Sequence, residues 1–217
     1  LEIVELSLRN KLDFCQVLVK VNFSGLCGSQ LGEIRGVKGN DKFLPHLLGH
    51  EGSGTVVDIG PGVTSVKTND KVVMHWRPGK GQQGMTPKYN WKNKVVNAGF
   101  VTTFNEYAVV SENRLTKIPN DYPLDKATLY GCAITTGLGV VENNAQIKMG
   151  ETILIVGAGG IGLNIIQGAA LHSASVIVAV DLFDNRLDLA KKIGATHIIN
   201  SFNDKNEWTV LANKIVN

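Results

Sequence analysis

The chain has 217 residues, 43% of them apolar and 19% charged, and a formal charge of +3 at neutral pH. That length can bury a sizeable core as one large domain or two smaller ones, with a composition that is neither disordered nor membranous. The small charge gives no argument for nucleic acid, and no apolar run is long enough to span a bilayer. The first residues carry no basic segment followed by an apolar stretch, so no secretory signal is read there. Cys15, Cys27 and Cys132 are odd in number and far apart, which suits a reducing cytoplasm better than a disulfide framework.

Taken in order, FCQVLVKVNF from Phe14 to Phe23 places Cys15, Val17, Val19, Val21 and Phe23 on one parity, as a half-buried strand requires. Cys15 shares that apolar face and reads as a core thiol. The run breaks at Ser24-Gly25, and a polar turn then presents Cys27-Gly28-Ser29-Gln30. Residues 40–75 alternate short apolar runs with Gly, Pro, Asn and Asp, the rhythm of an all-β lobe, and contain Gly49-His50-Glu51. Residues 71–105 carry Lys71, Arg77, Lys80, Lys88, Lys92 and Lys94 without any acidic residue. Glycines and prolines make the middle of this stretch a loop, either simply solvated or attractive to an anionic substrate. Val101 to Val110 reads as a strand, and residues 129–137 lead into a connecting helix.

The most informative stretch runs from Glu151 to Asp181. An apolar run, Ile153 to Val156, meets Gly157, Gly159 and Gly162 in G-x-G-x-x-G spacing, and Ile161, Ile165, Ile166, Ala169 and Ala170 follow at helical spacing. This is strand, tight turn and helix, in which Gly157 permits the turn, Gly159 admits a pyrophosphate and Gly162 allows close packing of helix on strand. Gly160 and Ile161 belong to the same phosphate cradle at the helix N-terminus. The next strand, Val176 to Val180, ends in Asp181, nineteen residues beyond Gly162, where a carboxylate can accept hydrogen bonds from the adenosine ribose. A carboxylate there repels a 2′-phosphate and favours NAD over NADP; Arg186 is the nearby cation. A helix from about Asp184 to a stop at Gly194, a third strand at His197 to Ile199 and an amphipathic helix through Trp208, Leu211 and Ile215 complete the chain.

Cys27, His50 and Cys132 supply two thiols and an imidazole, a set that can bind catalytic zinc and leave its fourth position open. Their spacing alone leaves two readings, a shared metal site or three unrelated buried residues. The segments GLCGSQ, LLGHEGSGTVVDIGPGVTSVKTNDKVV, TTFNEYAVV and GCAITTGLG, followed by the glycine fingerprint, resemble in this order the zinc-containing medium-chain alcohol dehydrogenases. The resemblance implies an α/β protein with a β-rich GroES-like catalytic domain over residues 1–136 and the first half of a Rossmann NAD-binding domain over residues 137–217. It implies one catalytic zinc held by Cys27, His50 and Cys132, with Glu51 as a carboxylate just behind those ligands or an occasional ligand itself. Ser29 falls where the family keeps a hydroxyl that passes on the substrate proton, and Thr136 where a side chain lies against the nicotinamide.

The activity implied is hydride transfer between an alcohol, or an aldehyde or ketone, and NAD, in the cytoplasm, with no membrane or nucleic-acid partner. A homodimer or homotetramer is implied for the full-length protein. Three departures stand out. Gln30 replaces the aspartate common three residues after the first cysteine, Gly32 lies where some members have a relay histidine, and no cysteine between Cys27 and Cys132 is present to hold a structural zinc. A complete cofactor domain needs about six strands, and three are read here, so the activity is assigned to a longer parent protein. The alternatives are a zinc-free reductase of the quinone oxidoreductase type and a non-catalytic dinucleotide-binding protein on the same fold.

Overall fold

In the computed structural model, which describes residues 1–7, 11–37, 39–203 and 207–216, the alternating run after Phe14 forms β1 (Gln16–Ser24). Short apolar runs punctuated by turn residues give β2 (Glu51–Ile59), β3 (Lys71–His75), the pair β4 (Lys88–Trp91) and β5 (Lys94–Asn97), β6 (Tyr107–Ser111) and β7 (Leu115–Lys117). Two short helices, α1 (Gly28–Ile34) and α2 (Leu124–Ala127), interrupt them. Five strands pair antiparallel in the order β6-β1-β2-β3-β7. Val17, Val19, Val56, Val72, Met74 and Val110 fill the core of this sheet. These elements belong to the first of two units, Leu1–Cys132 and Ala133–Asn217.

The parity of β1 holds through Val19, which is fully buried, and Val21, which packs against the same core, but Phe23 is 49% exposed. The register irregularity between Val21 and Phe23 turns the last side chain off the apolar face, as a β-bulge does. The strand expected over residues 101–110 begins only at Tyr107. Ahead of it the N–H groups of Thr103 and Phe104 both donate to Leu48 O, so this segment covers the approach to β2 instead of joining the sheet.

The basic stretch contains a hairpin that periodicity did not suggest. Lys92 and Asn93 both have positive φ (46° and 62°), the geometry of a two-residue turn between twisted strands. Tyr89, Val96 and Ala98 form a small cluster there with Leu6, Leu47 and Trp91. The preceding loop is tied down from a helical turn at Glu112–Arg114. Glu112 accepts the N–H groups of Thr64 (2.6 Å), Ser65 (2.6 Å) and Gln82 (3.1 Å). Arg114 donates to Gln83 Oε1 and Trp76 O and lies 4.6 Å over the Phe100 ring.

The second unit opens with α3 (Ala133–Gly139) and a π-helical turn at Val140–Ala145. Then follow β8 (Thr152–Val156), α4 (Gly160–Leu171), β9 (Val176–Asp181), α5 (Asp184–Lys192), β10 (His197–Asn200) and α6 (Trp208–Val216). The strands pair in parallel in the order β10-β9-β8, the first half of a Rossmann sheet. Alternate residues of β9 serve opposite faces: Ile177 and Ala179 pack with Ile166 of α4 and Leu187 of α5, whereas Val178 and Val180 pack with Ala212 of α6. Burial on both faces explains the continuous apolar run VIVAV. Gly194, at φ +130°, ends the fifth helix's segment as its sequence suggests. Among the described residues no helix is long and apolar enough to cross a membrane.

Candidate active site

Three segments distant in sequence converge at the start of β2, and two glycines permit the approach. Gly25, two residues before Cys27, lies so close to Glu51 that a Cβ would stand 2.7 Å from its carboxyl group, and its N–H donates to Glu51 O at 3.0 Å. Gly131, next to Cys132, lies equally close to the backbone of Glu51; an added Cβ would be 2.9 Å from the Glu51 Cα. Ser24 and Thr103 hydroxyls also donate to Glu51 O. Because His50 immediately precedes Glu51, the same contacts bring Cys27, His50 and Cys132 together.

One ligand atom from each of these three residues lies within 4.8 Å of the others. In a tetrahedral zinc–thiolate centre the ligand atoms are about 3.8 Å apart, from the metal–sulfur distance, so contraction of about 1 Å suffices. The donor set also fits: two thiolates balance a divalent ion, and three ligands leave one position open. The shared-site alternative is therefore the one that the geometry supports. Cys15 is separate and fully buried; burial, and then the nearby Glu112 charge, push its thiol above the ordinary range. It is an inert core thiol, and none of the three cysteines forms a disulfide.

The remaining candidates are placed as follows. Ser29, on the first turn of α1, donates its hydroxyl to Cys27 Sγ at 3.4 Å. Glu51 is 3% exposed and lies outside the Cys27, His50, Cys132 group. Gln30 is buried at 5% exposure; its Nε2 lies 2.8 Å from Glu33 Oε2 and 3.1 Å from His50 Nδ1, while its Oε1 accepts the Gly49 N–H. Glu33 was not singled out from the sequence, although its i+3 spacing from Gln30 on a helix was the available signal. In the second unit Thr136 lies in α3 with a buried Oγ1 that lacks a hydrogen-bond partner.

Gly157 adopts φ +99° after β8, and Gly159 caps α4. A Cβ on Gly162 would collide with Gly157 O, so the close helix–strand approach requires glycine. These residues, with Gly160, Ile161, Asp181 and Arg186, line a cleft of about 370 Å³. Its open floor at Gly157, Gly159 and Gly160, where an added Cβ would meet nothing within 4 Å, suits a pyrophosphate against the helix N-terminus. Asp181 accepts the N–H groups of Ala158 (2.7 Å) and Phe183 (3.0 Å) and faces Arg186 at 3.6 Å. Burial would raise its pKa, but those N–H groups and the guanidinium outweigh burial and hold it below the ordinary carboxylate range. The carboxylate therefore stays charged, with lone pairs left for ribose hydroxyls.

Residues 14–120 match the alcohol dehydrogenase GroES-like domain family, and residues 160–215 match the zinc-binding dehydrogenase family. An S-(hydroxymethyl)glutathione dehydrogenase from Paracoccus denitrificans is 34% identical over 232 aligned residues, covering 95% of this chain and 61% of that protein. An alcohol dehydrogenase class-3 from Cereibacter sphaeroides is 33% identical, covering 92% of this chain and 60% of that protein. Among solved structures, a benzyl alcohol dehydrogenase from Acinetobacter calcoaceticus superposes with a TM-score of 0.81 at 33% identity, covering 96% of this chain and 62% of that one. A quinone oxidoreductase from Pseudomonas syringae pv. Tomato DC3000, at 24% identity and a TM-score of 0.78, covers 99% of this chain and 59% of that one and shares the fold. The chain thus spans about three fifths of the length of the curated relatives it matches.

Proposed function

Because the chain belongs to the zinc-type medium-chain alcohol dehydrogenase family, we propose that it carries the zinc site and the adenosine half of the NAD site of a zinc- and NAD-dependent alcohol dehydrogenase or aldehyde reductase. The observation that carries this reading is the convergence of Cys27, His50 and Cys132 within 4.8 Å. Zinc, when bound by these three residues, supplies Lewis acidity to an alcohol or carbonyl oxygen. NAD supplies the hydride acceptor.

The chain's own residues set the conditions for that chemistry. The two cysteines hold the cation as thiolates, and the remaining position is left to a small alcohol, aldehyde or ketone. Ser29 is the group proposed to carry the substrate proton; its O–H donates to Cys27 Sγ and is re-aimed by rotation about the Cβ–Oγ bond. Gly157 to Gly162 receive the pyrophosphate, Asp181 the ribose hydroxyls, and Thr136 is the side chain proposed to meet the nicotinamide. Glu51 places a buried carboxyl group next to His50 in the chain. Three cysteines, odd in number and far apart, support a reducing, cytoplasmic setting, and the family supports a homodimer or homotetramer for the whole protein.

Zinc per chain, measured by elemental analysis, tests the reading. About one zinc is expected in the wild type and almost none in Cys27→Ser, His50→Ala or Cys132→Ser. A metal-replete preparation without zinc would sink it. The cofactor half has its own test. Asp181→Asn keeps a carbonyl for the Ala158 N–H but removes charge and acceptor capacity, and is expected to weaken NAD binding about tenfold or more. Calorimetric titration with NAD and NADP checks this, and undiminished NAD affinity would remove Asp181 from the site.

A further inference from the structure

The buried amide of Gln30 is oriented by two partners whose roles are unambiguous. The Gly49 atom that faces the amide is its backbone nitrogen, which can only donate, so the group facing it must be the Gln30 carbonyl. Glu33 offers a carboxylate, so the group facing it at 2.8 Å must be the Gln30 NH₂. The reverse orientation would set NH₂ against N–H and oxygen against oxygen, losing both bonds in a site with 5% exposure. With the amide fixed in this sense, its second N–H points at His50 Nδ1, 3.1 Å away.

A neutral imidazole that accepts at Nδ1 carries its proton on Nε2. With Nδ1 facing Gln30, Nε2 is the nitrogen that must supply a lone pair to a metal, and zinc requires that nitrogen to be unprotonated. Histidine ligands ordinarily donate their other N–H to a carboxylate or carbonyl, which fixes the ligating tautomer. Here that position meets a donor instead.

We propose that Gln30, pinned by Gly49 and Glu33, is a positioning residue that holds metal-free His50 in the Nε2–H tautomer and thereby opposes zinc loading. The inference rests on the zinc reading of this site. Loading then demands that the proton move to Nδ1 and that the amide turn over, giving up its bonds to Gly49 and Glu33. Zinc is accordingly held less tightly, and exchanged more readily, than it would be with an acceptor at position 30.

The test exchanges the polarity without changing the net charge, in the double variant Gln30→Glu with Glu33→Gln. A carboxylate at position 30 can accept both the Gly49 N–H and a His50 Nδ1–H. Nitrogen-15 NMR of the metal-free wild type is expected to report His50 in the Nε2–H form and that of the double variant in the Nδ1–H form. Chelator competition is expected to show zinc bound at least tenfold more tightly by the double variant, the scale on which such supporting groups act. A wild-type Nδ1–H tautomer, or equal zinc affinities in the two proteins, would overturn the proposal while leaving the zinc site intact. Absence of zinc binding in both would overturn the zinc reading itself, and the proposal with it.

Discussion

Gly162→Val is expected to abolish dinucleotide binding and to destabilise the second unit by about 3 kcal/mol or more, the upper range for overpacking. Even a single Cβ at this position would collide with Gly157 O. That oxygen belongs to the turn after β8, and backbone cannot swing aside as a flexible side chain can. Relief requires α4 to lift from the strand, which separates Ile166 and Ala169, both fully buried, from Ile155 and Ile177. The same displacement moves the helix N-terminus away from the phosphate position. Gly160→Ala is the contrasting variant. Its Cβ meets nothing within 4 Å, and alanine suits a helix better than glycine, so stability is expected to hold or to rise by about 0.5 kcal/mol. Thermal unfolding of the two variants, read for stability alone because Gly160 also lines the cleft, separates loss of space from loss of glycine. Comparable damage from both would refute the steric account.

A comparable loss is expected in the first unit from Glu112→Ala. Burial by itself would raise the pKa of this carboxyl, but the N–H groups of Thr64, Ser65 and Gln82 outweigh burial and lower it from 4.5 to about 2. A depressed folded-state value means that the folded chain favours the charged form. The stabilisation is therefore complete above pH 4.5 and is lost as the pH falls through about 2. By linkage it amounts to about 3 kcal/mol at neutral pH. Alanine would also leave three N–H groups without their acceptor. Chemical denaturation between pH 2 and pH 7 checks the sign. The wild type should lose stability on acidification through this window, whereas Glu112→Gln should start lower at pH 7 and lack that part of the slope. Parallel pH profiles for the two proteins would show that the carboxylate does not act in this way.

The two units differed in how readily sequence disclosed them. In the second, every element is adjacent to the next and its pattern is local: an apolar strand, glycines at fixed spacing, a helical apolar stripe and Asp181 at the end of the next strand. Period and spacing suffice where elements that follow one another in sequence are also neighbours in the sheet. The first unit is built from long-range antiparallel pairings. Its bulges in β1, the hairpin around Lys92 and Asn93, and the use of residues 101–106 as cover for Leu48 depend on partners far along the chain. Glu112 carries no local signal of its role, because the three N–H groups that it receives come from two distant loops.

By itself the sequence determined the composition-level class, the dinucleotide fingerprint, the preference for a carboxylate at Asp181, and the three residue types needed to hold a zinc ion. Only the tertiary structure decided that Cys27, His50 and Cys132 meet, since Gly25 and Gly131 must first bring two cysteine-bearing segments against Glu51. The structure also decided which way Gln30 faces. An amide has a donor end and an acceptor end of the same shape, and the partners that distinguish them, Gly49 and Glu33, lie in different segments of the chain.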